Sequence, residues 1–272
     1  MDIAEHEAWF QDYAQKQRAL ETDDAGPIDL KLRHSLEVLR AARAIVAESP
    51  MAPELRRACL LAALYHDVAR FEQYRRYRTF RDRESCNHGL MGVRILKRER
   101  RLDGEPPVLR RRVLAGVGLH NRFALPPALP EETAVVAHVV RDADKLDILR
   151  VMHETLCGPE PYHPTVVLGL PDSPDLVSDA VLRAAREQRV AAYADLRSVN
   201  DLRVLLGTWL FDMHFTASRR QFATDGHARH LLEGLPDDGS YGETRALLLA
   251  RLAAVPRGGA SAGGAHAPSQ LK

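Results

Sequence analysis

Apolar residues recur at helical spacing along most of the chain. Leu32, Leu36 and Leu39 lie four and three positions apart, which predicts a helix over about residues 29–47. The run 54–70 is apolar on nearly every side, and this pattern is typical of a central, buried helix. Further helices are expected at about 86–99, 108–120, 131–156, 175–196, 198–223 and 241–254. No stretch alternates with period two, so the predicted fold class is all-α, a helical bundle with additional C-terminal helices.

The Pro- and Gly-rich stretches divide the chain into one main domain with an extension at each end. Residues 1–24 are expected to form an N-terminal helical extension. Residues 25–255 are expected to form one domain, with its core at about 28–153 and C-terminal helices at about 175–255. These last helices are candidates for a pocket wall or a homo-oligomer surface. Residues 256–272 are rich in Gly and Ala and are expected to be disordered, because small side chains bury little apolar area.

Composition excludes several classes of protein. The chain has 38 Lys and Arg against 37 Asp and Glu, so the net charge of +1 gives no field that would attract nucleic acid. Three cysteines, none in a CxxC pair, cannot form a closed disulfide framework. The longest apolar run, about 58–65, is shorter than the ~18 residues of a membrane span. The N-terminus is acidic and polar, unlike a signal peptide, so a cytoplasmic protein is the default expectation.

Histidine and aspartate recur in or at the end of five successive predicted helices. The set is His34, the adjacent pair His66 and Asp67, then His88, His120 and Asp144. A helical bundle can direct one side chain from each helix into a shared centre, where imidazole and carboxylate suit transition metals. A single His on an apolar face is more often a hydrogen-bonded core residue. Five such positions, one of them a His-Asp pair, instead predict a buried metal site.

The order of this set resembles the HD-domain superfamily of metal-dependent phosphohydrolases, over about residues 28–153. The family pattern is one His, then a His-Asp pair, then an Asp that is usually followed by a basic residue and Leu. Here Asp144 is followed by Lys145 and Leu146. Two residues earlier stands Asp142, which a helix would turn by ~200° away from Asp144. We therefore assign Asp144 to the metal and expect Asp142 to orient a histidine or to pair with Lys145.

His88 and His120 resemble the extra ligands of HD subfamilies that bind two metals. The stretch from Arg70 to Ser85, with Thr79, Phe80 and Asp82 inside it, resembles a group of bacterial HD proteins whose substrates are largely unassigned. The resemblance implies two divalent ions (manganese, iron, zinc, cobalt or magnesium) bridged by Asp67. By the same resemblance, one ion is held by His34, His66 and Asp144, and the other by His88 and His120.

A phosphorylated substrate also needs cations near the metals. The expected catalytic residues are Asp67, Arg70 and Lys145, and the expected substrate-binding residues are Arg70, Arg75, Arg78, Arg122 and Lys145. Arg75, Arg76 and Arg78 are predicted to lie in a loop, where they would equally well form a solvated charge run.

Three functions remain open at this stage. The first is hydrolysis of a phosphate ester, of a nucleotide or another small molecule, by metal-activated water. The second is an HD-type diiron oxygenase, because ligands do not fix the metal. The third is a catalytically inactive HD protein that binds a ligand. The intact ligand set argues against the third.

Overall fold

Helices joined by turns and loops make up the described part of the chain. The computed structural model describes residues 2–159, 161–162 and 164–256, and these residues contain no β-strand. The predicted all-α fold is confirmed. The expected disorder of 256–272 falls, apart from residue 256, outside the described residues.

The helices of the first part surround the predicted ligands. They are α1 (Ile3–Ala19), α2 (Gly26–Ala47), α3 (Pro53–Tyr65), α4 (Arg70–Tyr77), α5 (His88–Arg98), α6 (Pro107–Leu119) and α7 (Glu131–Leu156). The C-terminal part adds α8 (Asp179–Arg186), α9 (Val199–Thr208), α10 (Thr216–Thr224), α11 (His227–Glu233) and α12 (Gly239–Ala253). Among the described residues, no helix has both the length and the apolar character needed to cross a membrane.

The helix predicted over 54–70 was wrong at its C-terminal end. Helix α3 ends at Tyr65, four turn residues follow, and α4 begins at Arg70. In this turn the imidazole Nδ1 of His66 donates to the carbonyl oxygen of Ala63, 2.8 Å away. This side-chain bond occupies a carbonyl that a continuing helix would use, which is a common way for polar side chains to end helices. Helix α4 also contains Arg75 and Arg76, so the loop predicted for these two was wrong, whereas Arg78 lies directly after the helix.

The two long helices predicted at 175–196 and 198–223 were also wrong in extent. The first is α8, only eight residues long, followed by the 3₁₀ turn Tyr193–Asp195. The second is divided into α9, the 3₁₀ turn Trp209–Asp212 and α10. Loops and turns between them let the short helices pack on α7 and on one another.

The core lies where α2, α3, α6 and α7 pack together. Gly116 on α6 makes the closest approach, because a Cβ at this position would lie 2.9 Å from Cβ of Ala62 and 2.8 Å from Cγ1 of Val136. Glycine therefore lets α6 pack between α3 and α7. The outer helix α1 covers α3 through aromatic contacts between Phe10 and Tyr65. The division into residues 1–24 and 25–255 stays a prediction.

Candidate metal centre

Five helices deliver the predicted ligands to one buried place. His34 and Asp144 lie in the middle of α2 and α7. The other four lie at helix ends: His66 and Asp67 directly after α3, His120 directly after α6, and His88 as the first residue of α5. The structure brings all six together in two groups whose ligand atoms lie within 4.8 Å of one another.

The first group contains His34, His66 and Asp144. Nε2 of His34 lies 3.1 Å from Oδ1 of Asp144 and 3.3 Å from Nε2 of His66. Nε2 of His66 lies 3.6 Å from the same Asp144 oxygen. Both imidazoles are buried, so these three atoms face one another with little access for solvent.

The second group contains Asp67, His88 and His120. Nε2 of His88 lies 2.9 Å from Nε2 of His120. Oδ1 of Asp67 lies 3.4 Å from Nε2 of His88 and 3.7 Å from Nε2 of His120. All three side chains are buried.

Asp67 joins the two groups, because its two oxygens face different ones. Oδ1 faces His88 and His120, as given above. Oδ2 lies 3.6 Å from Nε2 of His34 and 3.5 Å from Nε2 of His66. One carboxylate thus stands between two sets of ligands, with one oxygen directed at each.

The four histidines all use Nδ1 for a hydrogen bond to an oxygen acceptor. The pairs are His34 with Asp147 (2.7 Å), His66 with the Ala63 carbonyl (2.8 Å), His88 with Asp82 (2.7 Å) and His120 with the Val117 carbonyl (2.8 Å). A carbonyl or carboxylate oxygen can only accept, so Nδ1 carries the proton in each case. In a ring that carries only this proton, the lone pair of Nε2 is directed at the centre, which is the form that binds metal.

This donor set fits divalent cations. In the second group, two Nε2 lone pairs face each other and a carboxylate oxygen, an arrangement that is repulsive unless a cation lies between them. Burial lowers the pKa of His88 to about 3, with the nearby charge of Arg70 contributing, so a proton is a poor substitute there. In the first group burial opposes a charge on His34, but the carboxylates of Asp144 and Asp147 raise its pKa. Both groups therefore favour a bound cation between their ligand atoms.

The two carboxylates are held ionised. Burial alone would raise the pKa of Asp67, but the charges of Lys31, His66 and Arg70 bring it well below its ordinary value. Burial likewise opposes ionisation of Asp144, but the adjacent imidazoles of His34 and His66 outweigh it and lower the pKa. At neutral pH both side chains are available as anionic ligands.

Residues 32–149 match the family model of the HD domain. This segment of the chain is an HD domain. HD domains bind divalent metals and are typical of metal-dependent hydrolases, which agrees with the His and Asp groups found here. No curated protein and no solved structure matches the chain.

Two carboxylates support the histidines of this HD domain. Asp147 accepts from Nδ1 of His34, and Asp82 accepts from Nδ1 of His88. Sequence reasoning assigned neither role. Asp147 could have been found from its position three residues after Asp144, which places both on one helix face. Asp82 was noted only as part of the stretch from Arg70 to Ser85.

Arg70 and Lys31 are the cations that reach the bridging carboxylate of the HD domain. Nε of Arg70 lies 3.3 Å from Oδ1 of Asp67, and Nζ of Lys31 lies 2.7 Å from Oδ2. Both cations also lie over the ring of Phe80, each 5.6 Å from its centroid. Arg70 was predicted from sequence, whereas Lys31 was missed.

Three of the four other predicted cations have partners outside the two groups. Lys145 forms an ion pair with Asp212. The remaining three are Arg75, which donates to Gln17, Arg78, which pairs with Glu21 and Asp23, and Arg122, which is exposed after His120. Their roles in substrate binding stay predictions.

Among the described residues, Asp142 bonds neither the imidazole of a predicted ligand nor Lys145, the two partners expected from sequence, and Lys145 pairs with Asp212 instead. The Asp142 carboxylate accepts from the backbone N–H groups of His214 (2.9 Å) and Phe215 (3.0 Å) and from the hydroxyl of Ser218. It therefore holds the start of α10 against α7. This agrees with the helical rotation that separates Asp142 from Asp144.

Proposed function

We propose that the chain is a metal-dependent phosphohydrolase that cleaves a phosphate ester of a nucleotide or another small molecule. The observation that carries this proposal is the position of Asp67, with one oxygen directed at each ligand group. A shared carboxylate of this kind is suited to two ions held side by side. The fixed tautomers of the four histidines add support, because they leave every Nε2 available.

The proposed ligands are His34, His66 and Asp144 for one ion and His88 and His120 for the other, with Asp67 shared. Two divalent ions bound there would lower the pKa of a bound water towards ~7 and neutralise charge on a phosphoryl group. The protein itself orients the donors through Asp147, Asp82 and two backbone carbonyls. Arg70 is held beside the two ligand groups by Asp67 and Asp82, where its charge would favour an anionic substrate.

The proposal is tested by a substrate screen on chelated and remetallated protein. Phosphomonoesters, phosphodiesters and nucleotides are each assayed with manganese, magnesium, cobalt, zinc and iron. We expect one ester class to be hydrolysed, with activity lost on chelation and in Asp67→Ala. Asp29→Ala is the matched control, since Asp29 lies in the first turn of α2 and pairs with Arg18 at the surface.

Two results would contradict the proposal. Turnover and metal content of Asp67→Ala equal to those of the wild type would show that the centre is elsewhere. Two irons per chain after aerobic purification, with consumption of oxygen in place of ester hydrolysis, would replace the phosphohydrolase with the oxygenase.

A further inference from the structure

Lys31 lies on α2 at a position from which its ammonium reaches the centre. It precedes His34 by three residues, so the two side chains share a helix face. Its Nζ lies 2.7 Å from Oδ2 of Asp67, and its side chain is 16% exposed. This oxygen is the one that faces His34 and His66. The ammonium therefore stands at the edge of the first ligand group, beside the bridging carboxylate and still open to solvent.

Lys31 keeps two of its three donors free, whereas Nε and Nη1 of Arg70 are held by the protein. In Arg70, Nε points to Asp67, and Nη1 serves Gln73 (2.6 Å), the carbonyl of Phe80 (2.6 Å) and Asp82 (3.3 Å). A lysine ammonium has three N–H donors. Within the described residues, Asp67 is the one hydrogen-bond acceptor of Lys31. Two donors are thus left for an incoming anion.

The charges around Lys31 and Arg70 also favour Lys31 as the group that binds an anion. Arg70 lies between the carboxylates of Asp67 and Asp82, so its charge is largely balanced by the protein. Asp67, the partner of Lys31, would also be shared by the metals, which leaves the ammonium less fully neutralised. Phe80 fixes the position of the ammonium through its ring face. A compact cation next to metal ions is a suitable partner for a phosphoryl oxygen.

We propose that Lys31 forms a phosphoryl-binding subsite of the centre, an inference that rests on the proposed phosphohydrolase function. The ammonium donates to an oxygen of the phosphoryl group while retaining its bond to Asp67. Its ligand class is a phosphate or phosphate monoester dianion. Lys31 is thereby a substrate-binding residue that does not hold metal.

The test is calorimetric titration of inorganic phosphate into metal-loaded protein, together with elemental analysis of metal content. We expect Lys31→Met to weaken phosphate binding by about tenfold or more, the effect of losing one charge-assisted hydrogen bond. Metal content should equal that of the wild type. Lys31→Arg, which retains the charge, should recover most of the affinity. Lys97→Met removes the same charge from an exposed position on α5 and should bind phosphate like the wild type. Thermal melts followed by circular dichroism confirm that each variant is folded.

The outcomes separate this inference from the proposed function. Unchanged phosphate affinity in Lys31→Met would overturn the subsite, and tighter metal binding in that variant would identify Lys31 as a simple counter-charge to Asp67. Phosphate binding that depends on Asp67 and not on Lys31 would overturn the subsite at Lys31 and leave the proposed phosphohydrolase function intact. A metal-loaded wild type that neither binds phosphate nor hydrolyses any ester would overturn both.

Discussion

Nδ1 of His34 lies 2.7 Å from Oδ2 of Asp147, although the two residues are 113 positions apart. Arg150 holds the same carboxylate, with Nε 2.6 Å from Oδ1 and Nη2 2.9 Å from Oδ2. This chain of contacts from Arg150 through Asp147 fixes the ring of His34. Its Nε2 is thereby directed at Asp144 and His66.

We expect Asp147→Asn to weaken metal binding without removing a ligand. The amide can turn its NH₂ group towards Nδ1, which favours the tautomer whose proton is on Nε2. Loss of such a partner costs ~10–100-fold in metal affinity or activity. Competition with a chromophoric chelator measures the affinity. Glu154→Gln is the control, because Glu154 binds Arg150 from an exposed position. Equal affinities in all three proteins would show that Asp147 has no part in metal binding.

His120→Ala should empty one ligand group and spare the other. Its Nε2 belongs to the group of Asp67 and His88, while His34, His66 and Asp144 form a separate group. Metal content by elemental analysis should fall from about two per chain to about one. If the wild type binds a single equivalent under saturating metal, His88 and His120 instead contact the substrate or support other residues.

The sequence predicted which His and Asp side chains come together better than it predicted their surroundings. Helix α7 was predicted with the bounds that the structure has, because Pro130 precedes it and the charges of Glu131 and Glu132 suit a first turn. The end of α3 was mispredicted, because the bond from His66 to the Ala63 carbonyl leaves no trace in a hydrophobic pattern. Lys31 was missed for a related reason. Its partner Asp67 lies 36 residues away, and only the packing of α2 against α3 brings them together.

Arg78, in the basic run that was expected to bind substrate or to form a solvated charge run, has acidic partners in the fold, and its role in substrate binding stays a prediction. Arg78 ends α4 in a left-handed conformation, with φ of 57°, and its guanidinium binds Glu21 and Asp23 between α1 and α2. Nothing local in the sequence distinguishes such an arginine from one that faces a substrate. Its ion pairs, like that of Lys145 with Asp212, depend on tertiary contacts that a local pattern does not show.

His138 should make the protein less stable as the pH falls into the acid range. Its ring stacks on His214, with centroids 3.9 Å apart and planes at 8°. Burial lowers the pKa of His138 from 6.5 to about 4, and His214 and Arg141 contribute to this shift, while Asp212 opposes it. Between these two pKa values the unfolded chain takes up a proton that the folded chain does not. The free energy of unfolding therefore falls as the pH falls from about 6.5 to about 4.

Replacing His138 with Gln should remove this contribution. Denaturant unfolding at about pH 7 and about pH 5 gives the loss of stability on acidification for each protein. After allowance for solvent screening of a partly exposed ring, we expect the loss to be smaller by about 1 kcal/mol in His138→Gln. An equal loss in the two proteins would show that the stacked pair does not resist protonation.

Asp144 and Asp142, two residues apart on α7, should fail in different ways when replaced. Asp144 lies 3.1 Å from Nε2 of His34, so Asp144→Ala should fold, bind little metal and be nearly inactive. Asp142 instead accepts from His214, Phe215 and Ser218 at the start of α10. Asp142→Ala leaves these donors without an acceptor and should lower the free energy of unfolding by about 2 kcal/mol or more. Its metal content per folded chain should equal that of the wild type. Measured side by side, a metal-poor Asp142→Ala with a fully metallated Asp144→Ala would mean that the two aspartates had been assigned in the wrong order.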